Sequence, residues 1–284
     1  MQRTIKTDRN QAFIFIVSVL AISWGFEAYM IANGGVRSLG PIWILILMCI
    51  PGALAIALRL VLKAGFEDAG FRIGKKRYYL YAIAIPLLLA LLVGLVSTAL
   101  DIRNISPVSS KELGQLFPVL LTVLGLGLIG AFGEEIGWRG FLLPKLISGG
   151  TRKPYLVTGL VWAAWHLPLI AFGGFYQTDH PFVMALIYCV GIIAMSFVFS
   201  ELRVRSGSVW VATLIHAAHN FIFQFAAPVL LLTAAGTHSD WWDLVAGDTG
   251  LSIAVLYAAA YVIIRYGTKR NSTSRGGNSK EPSM

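Results

Sequence analysis

Apolar stretches long enough to cross a bilayer recur along the whole chain, separated by short polar links. Eight stand out, at 11–33, 40–62, 78–100, 116–140, 155–174, 182–202, 208–232 and 250–266. A hydrocarbon core of ~30 Å needs about 20 consecutive apolar helical residues, and the last stretch is the shortest of the eight. The pattern predicts an all-α polytopic bundle of about eight transmembrane helices, forming a single domain over residues 1–266. The links leave no room for a soluble domain, and no internal repeat is evident. Residues 267–284 are rich in Ser, Gly, Asn and Lys and are expected to form a disordered tail.

Against this background a few polar residues are conspicuous. The fourth stretch carries Gly133-Glu134-Glu135-Ile136-Gly137-Trp138-Arg139. A bilayer core charges ~2.5–3.5 kcal/mol for each ionic group on insertion scales, so charges there usually line a wet cavity and take part in function. Glu135 and Arg139 are four residues apart, share a helix face and can pair. Glu134 is turned about 100° away, at 3.6 residues per turn, and is freer for chemistry. The fifth stretch brings Trp162-Ala-Ala-Trp-His166-Leu-Pro168, and the seventh brings His216-Ala-Ala-His219-Asn220. His216 and Asn220 share a face, and His219 is placed to touch the same space. Glu27, near the outer end of the first stretch, reads as an interfacial carboxylate.

Composition and charge agree with a membrane protein. The chain of 284 residues is 56% hydrophobic and 13% charged, far from an ordinary soluble domain. Its net charge of +9 invites a nucleic-acid reading, but the distribution of the charge argues against one. With both termini in the cytoplasm, 20 of the 23 Lys and Arg fall on the inner side, leaving out only Arg37, Arg103 and Lys111. The outer loops 173–181 and 233–249 hold none. This is the positive-inside pattern, and it gives an even number of spans. The topology also places His166, His216 and Glu134 eleven, eight and twelve residues from the inner ends of their helices, roughly 12–18 Å deep at 1.5 Å per residue. All three groups can therefore meet in one cavity.

The remaining features add less. The N-terminus has the basic start and apolar run of a signal peptide, but the run is too long and lacks a small-x-small cleavage site, so it reads as an uncleaved first helix. Cys49 and Cys189 lie in separate spans and read as packing residues. Residues 64–77 mix aromatic and basic side chains and suit either a segment among anionic headgroups or a solvated loop. His180 and His238 fall in outer loops and are expected to be solvated.

A carboxylate and a histidine flanking a water make a general-base pair. A histidine and an asparagine aimed at one point can donate to a developing oxyanion, each donor contributing on the order of 3 kcal/mol in a dry site. These parts suit amide hydrolysis. No serine or cysteine is paired with them, so attack by an activated water, with no cofactor, is the simplest scheme. The His-Glu-x-x-His signature of zinc peptidases is missing, yet a divalent metal such as zinc held by Glu134, His166 and His216 remains open on composition.

Glu-Glu-x-x-x-Arg, then aromatic-x-x-x-His, then His-x-x-x-Asn, in this order on separate membrane helices, closely resembles the CAAX protease and bacteriocin-processing family. The likeness covers about residues 116–225. It implies an intramembrane endopeptidase acting on a membrane-associated peptide or protein, with lipid as its surroundings and no nucleic-acid partner. It implies Glu134 as the base that activates water, assisted by His166, with His216 and Asn220 as oxyanion donors and with Glu135 and Arg139 as organising and substrate-contacting residues. The aromatic position, usually Phe, is Trp162 here, which is expected to alter cavity shape more than chemistry. Both a metal-dependent and a metal-free glutamate mechanism are argued for the family. The short loops suit a bacterial member, in the inner membrane. Two other readings use the same residues: a non-catalytic bacteriocin-immunity or scaffold protein, and a proton-coupled transporter.

Overall fold

The computed structural model describes residues 2–99, 109–176, 179–226 and 248–273. Among them the regular structure is all helical, with no strand. The helices are α1 (Gln2–Ala32), α2 (Gly35–Leu39), α3 (Pro41–Val61), α4 (Arg77–Ala99), α5 (Ser110–Gly137), α6 (Leu143–Ser148), α7 (Pro154–Phe172), α8 (Pro181–Ser206), α9 (Val209–Asn220) and α10 (Leu251–Thr273). A π-helical turn, Trp138–Leu142, joins α5 to α6, and a second, Phe221–Ala226, extends α9. Seven segments are long and apolar enough to cross a membrane, and Leu251–Gly267 within α10 is a shorter apolar helix. The protein is an all-α polytopic membrane bundle. Arg103, His238, the end of the seventh stretch beyond Ala226 and the tail from residue 274 lie outside the described residues. Between 267 and 273 the expected tail is helical, as a continuation of α10.

Helix ends differ from the hydropathy boundaries where polar contacts hold the backbone. α1 begins well before residue 11, and its buried Asp8 meets Lys145 at 3.1 Å. α5 begins at Ser110 because Ser109 and Glu112 form a capping box, each side chain taking the other residue's backbone N–H. The polar start of α5 is thus satisfied before its apolar part begins.

α8 runs through the middle, touching α7, α9, α10 and α4, while α3 packs along α5, and α1 along α3 and α7. Lipid does not drive apolar helices together, so close association relies on small residues that let backbones approach. α5 supplies them at Gly130, Gly133 and Gly137. A Cβ on Gly133 would lie 2.9 Å from the Met48 carbonyl oxygen, and one on Gly137 would lie 2.5 Å from Pro51. The same α3–α5 contact sets the position of Glu134. Gly133→Val is expected to cost about 1–3 kcal/mol by overpacking, read as weaker resistance to unfolding in mixed micelles. An unchanged unfolding curve would show that the helices can part without loss.

Residues 64–76 are docked on protein, not simply laid among headgroups or solvated. Asp68 draws in Arg59 of α3 at 2.7 Å and Lys145 of α6 at 3.1 Å. Arg203 of α8 donates to the Asp68 carbonyl at 2.7 Å, and its guanidinium passes so close to Gly70 that a Cβ there would run into it. Val209 N–H reaches the Gly70 carbonyl at 2.9 Å and Lys75 N–H the Ser206 carbonyl at 3.0 Å. These cations come from three distant helices, so no local pattern announces the dock. Phe66, Phe71 and Ile73 remain exposed on it, as an interfacial surface requires.

Candidate active site

Glu134, Trp162, Trp165, His166, Tyr188, His216, His219 and Asn220 line one cavity of about 80 Å³, whose walls come from α3, α5, α7, α8 and α9. That is room for roughly two or three waters at ~30 Å³ each. Ile44, Leu47, Met48, Ile192 and Met195 supply its apolar sides. Of the residues singled out in the sequence, Glu134, His166, His216, Asn220 and Trp162 meet here. Glu135 and Arg139 stand directly behind, fully buried.

Glu134 is held firmly. Its Oε2 accepts the indole N–H of Trp162 at 2.7 Å and that of Trp138 at 3.1 Å. Charge-assisted bonds of this kind are stronger than neutral ones, and they leave Oε1 to meet a water. Trp162 therefore does more than shape the cavity, because a phenylalanine has no N–H to give. Trp138 was not foreseen as a site residue. Its signal was present, since it stands four residues after Glu134 on the same face.

The two histidines are oriented by acceptors. His166 Nδ1 lies 2.8 Å from the Trp162 carbonyl. A carbonyl only accepts, so Nδ1 carries the proton, and Nε2 of the neutral ring holds a lone pair. The ring is wedged edge-on against Trp165 at 4.6 Å and beside Tyr188 at 5.0 Å. His216 Nδ1 lies 2.9 Å from Glu135 Oε1, which also accepts from Arg139 Nη1 at 2.8 Å. The same logic leaves Nε2 as the open nitrogen of His216. A histidine backed by a buried carboxylate is the arrangement that fixes the tautomer and orientation of the ring. Thus Glu135 orients His216 as well as pairing with Arg139, a role that helix spacing alone did not indicate.

Arg139 stacks its guanidinium over Trp162, 4.3 Å from the ring centroid, and over Phe199 at 5.3 Å. The π turn that begins at Trp138 disturbs the regular helical ladder, and arginines from other helices bind its carbonyls. Arg203 donates to the Arg139 carbonyl at 3.1 Å and Arg59 to the Gly140 carbonyl at 2.6 Å. Such π turns are frequent at functional sites. Here the turn carries Trp138 and Arg139 onto the two glutamates.

His219 also reaches the cavity and is tied to α10 through the Tyr257 hydroxyl at 3.0 Å. At the far end, Asp248 accepts from Tyr176 at 2.6 Å and from Gln224 at 2.9 Å. Glu27 is not interfacial. It is fully buried, and its carboxylate accepts the Leu169 N–H at 3.1 Å. Helix packing, which hydropathy does not report, turns it toward α7. Among the described residues no three His, Cys, Asp or Glu side chains converge closely enough to hold a metal ion, so the donor set does not fit one as it stands.

Fold and site together define a polytopic membrane protein with a glutamate–histidine–asparagine cavity enclosed by apolar helices. Residues 116–222 match the family model described as type II CAAX prenyl endopeptidase Rce1-like. Over 152 residues the chain is 28% identical to a protein named CAAX prenyl protease 2 from Methanococcus maripaludis, an alignment covering 52% of this chain and 50% of that relative. The chain thus spans about half the length of the curated relative it matches. The matched region includes Glu134, Glu135, Arg139, Trp162, His166, His216 and Asn220. This core is thus similar to the type II CAAX prenyl endopeptidases that the family model describes.

Proposed function

We propose that the protein is an intramembrane endopeptidase that hydrolyses a peptide bond of a membrane-associated substrate by means of an activated water. The observation that carries this reading is the convergence of Glu134, His166, His216 and Asn220, from three separate helices, on one small cavity with room for a few waters. The relative's name, CAAX prenyl protease 2, supports the same class of reaction.

In the proposed reaction Glu134 Oε1 and His166 Nε2 flank the water, and one of them takes its proton as the oxygen attacks the scissile carbonyl. The oxyanion that forms is met by the Asn220 amide and, once its Nε2 is protonated, by His216, whose positive charge Glu135 balances. The proton held by Glu134 or His166 then passes to the departing amine, closing the cycle with one water consumed. No step runs through a metal. The substrate is approached from the side that faces the cytoplasm of a bacterial inner membrane, where the loops rich in Lys and Arg lie in this reading.

The test uses purified protein in liposomes with quenched-fluorescent peptides carrying a prenylated C-terminal cysteine motif, beside matched unprenylated ones. Cleavage that disappears in His166→Ala and His216→Ala, with both variants still folded, is the expected result. Flux of protons without any cleavage would replace the peptidase reading with a transporter. Activity lost on chelation and restored by zinc would overturn the metal-free scheme. Trp162→Phe keeps the ring but removes the 2.7 Å bond to Glu134. A hydrogen bond to a charged group contributes about 1.5–3 kcal/mol, so cleavage is expected to fall on the order of 10–100-fold. Full activity in Trp162→Phe would mean that the indole N–H does not hold the base.

A further inference from the structure

Helix α1 lies outside the region that carries the family match, yet two of its side chains grip α7 on either side of His166. Pro168 has no N–H, so the Ala164 carbonyl, four residues earlier, loses its helical donor. Within hydrocarbon no water replaces that donor, and a neighbouring helix has to supply one. Trp24 does so, its indole N–H reaching the Ala164 carbonyl at 3.1 Å. Three residues further along α1, and therefore on the same face, Glu27 accepts the Leu169 N–H at 3.1 Å. Positions 164 and 169 bracket His166, whose own Nδ1 is tied back to the Trp162 carbonyl.

The energetic setting of Glu27 makes a packing role a poor account of it. The side chain is fully buried, and its Oε1 finds no hydrogen-bond partner. A carboxylate in this place is costly, and the bond it does make goes to backbone one turn beyond His166. A leucine would fill the same space more cheaply but would offer the Leu169 N–H nothing.

We propose that Trp24 and Glu27 form a clamp across the Pro168 break that fixes the height and rotation of His166 in the cavity, which makes them positioning residues for that histidine. The structural part of this inference stands apart from the peptidase reading, and only its effect on catalysis rests on that reading.

The test is nuclear magnetic resonance of the full-length protein in detergent, with ring-¹⁵N histidine and the His166 signal assigned from its loss in His166→Gln. Trp24→Phe and Glu27→Leu are expected to move the His166 ring signal and to leave His219, on α9, in place. Glu27→Gln, whose amide oxygen still accepts the Leu169 N–H, is expected to match wild type. Pro168→Ala restores an N–H for the Ala164 carbonyl, so adding Trp24→Phe to it should move nothing further. In the prenylated-peptide assay, Trp24→Phe and Glu27→Leu are expected to lower kcat on the order of 10–100-fold, the scale of a small misplacement, with KM little changed.

An unmoved His166 signal in both variants overturns the clamp. So does an equal shift of His166 and His219, which would mean general loosening, or a Trp24→Phe shift that persists beside Pro168→Ala. Should Glu27→Leu fail to fold, the Trp24→Phe and Pro168→Ala pair decides the matter. If wild type cleaves no peptide, the peptidase reading fails while the resonance result still judges the clamp.

Discussion

Glu134→Gln is expected to abolish measurable peptide cleavage, a loss on the order of 10²–10⁴-fold for a general base, while the folded protein persists. The amide oxygen of Gln can still accept the indole N–H groups of Trp162 and Trp138, so the cavity keeps its shape. What disappears is basicity at the atom left facing the water. The measurement is hydrolysis of the prenylated peptide in liposomes, paired with an unfolding curve for each protein. Since Glu134 and His166 act on one water, their losses should not add. The double variant Glu134→Gln/His166→Ala is expected to be little worse than either single one. Cleavage at the wild-type rate by Glu134→Gln would remove this residue from the base role. Multiplicative losses in the double variant would mean that the two residues serve different steps.

Glu135→Ala is expected to damage the fold itself. Glu135 Oε1 accepts from both Arg139 and His216, and the Arg139 Nε and Nη2 groups already lack partners. Removing the carboxylate leaves a buried guanidinium supported only by its stacking on Trp162 and Phe199. Breaking one partner of a buried ion pair costs about 3–5 kcal/mol, which should appear as a large fall in resistance to unfolding in mixed micelles. Changing both partners, Glu135→Ala with Arg139→Met, is expected to recover part of that loss, because no orphaned charge remains. It should not recover cleavage, since His216 then has nothing to fix its tautomer. A double variant no more stable than Glu135→Ala would mean that the stacked guanidinium, and not the ion pair, holds this region together.

The two predictions separate neighbouring glutamates by the atoms that surround them. Glu134 receives two neutral N–H donors and keeps an oxygen toward the cavity. Glu135 receives a cation and a histidine and turns inward. Spacing on one helix pointed to this difference, through the four-residue step to Arg139. It did not show the indoles, because Trp162 reaches Glu134 from another helix and Trp138 reaches it across the start of the π turn.

The sequence by itself determined the class of the molecule and most of the polar side chains that meet in the candidate cavity. Apolar runs long enough for a bilayer cannot be satisfied in any other way than by helices, and charges within them are too costly to be incidental. Only the tertiary structure decided which atoms each polar group meets. It turned Glu27 from an interfacial carboxylate into a partner of the α7 backbone, and docked residues 64–76, through Asp68, on Arg59, Lys145 and Arg203. It also made Glu135 the residue that orients His216. Helical periodicity is local and reports which residues share a face. Hydrogen bonds between helices depend on rotation, height and the close approach permitted by glycines such as Gly133, and these are settled only when the helices pack.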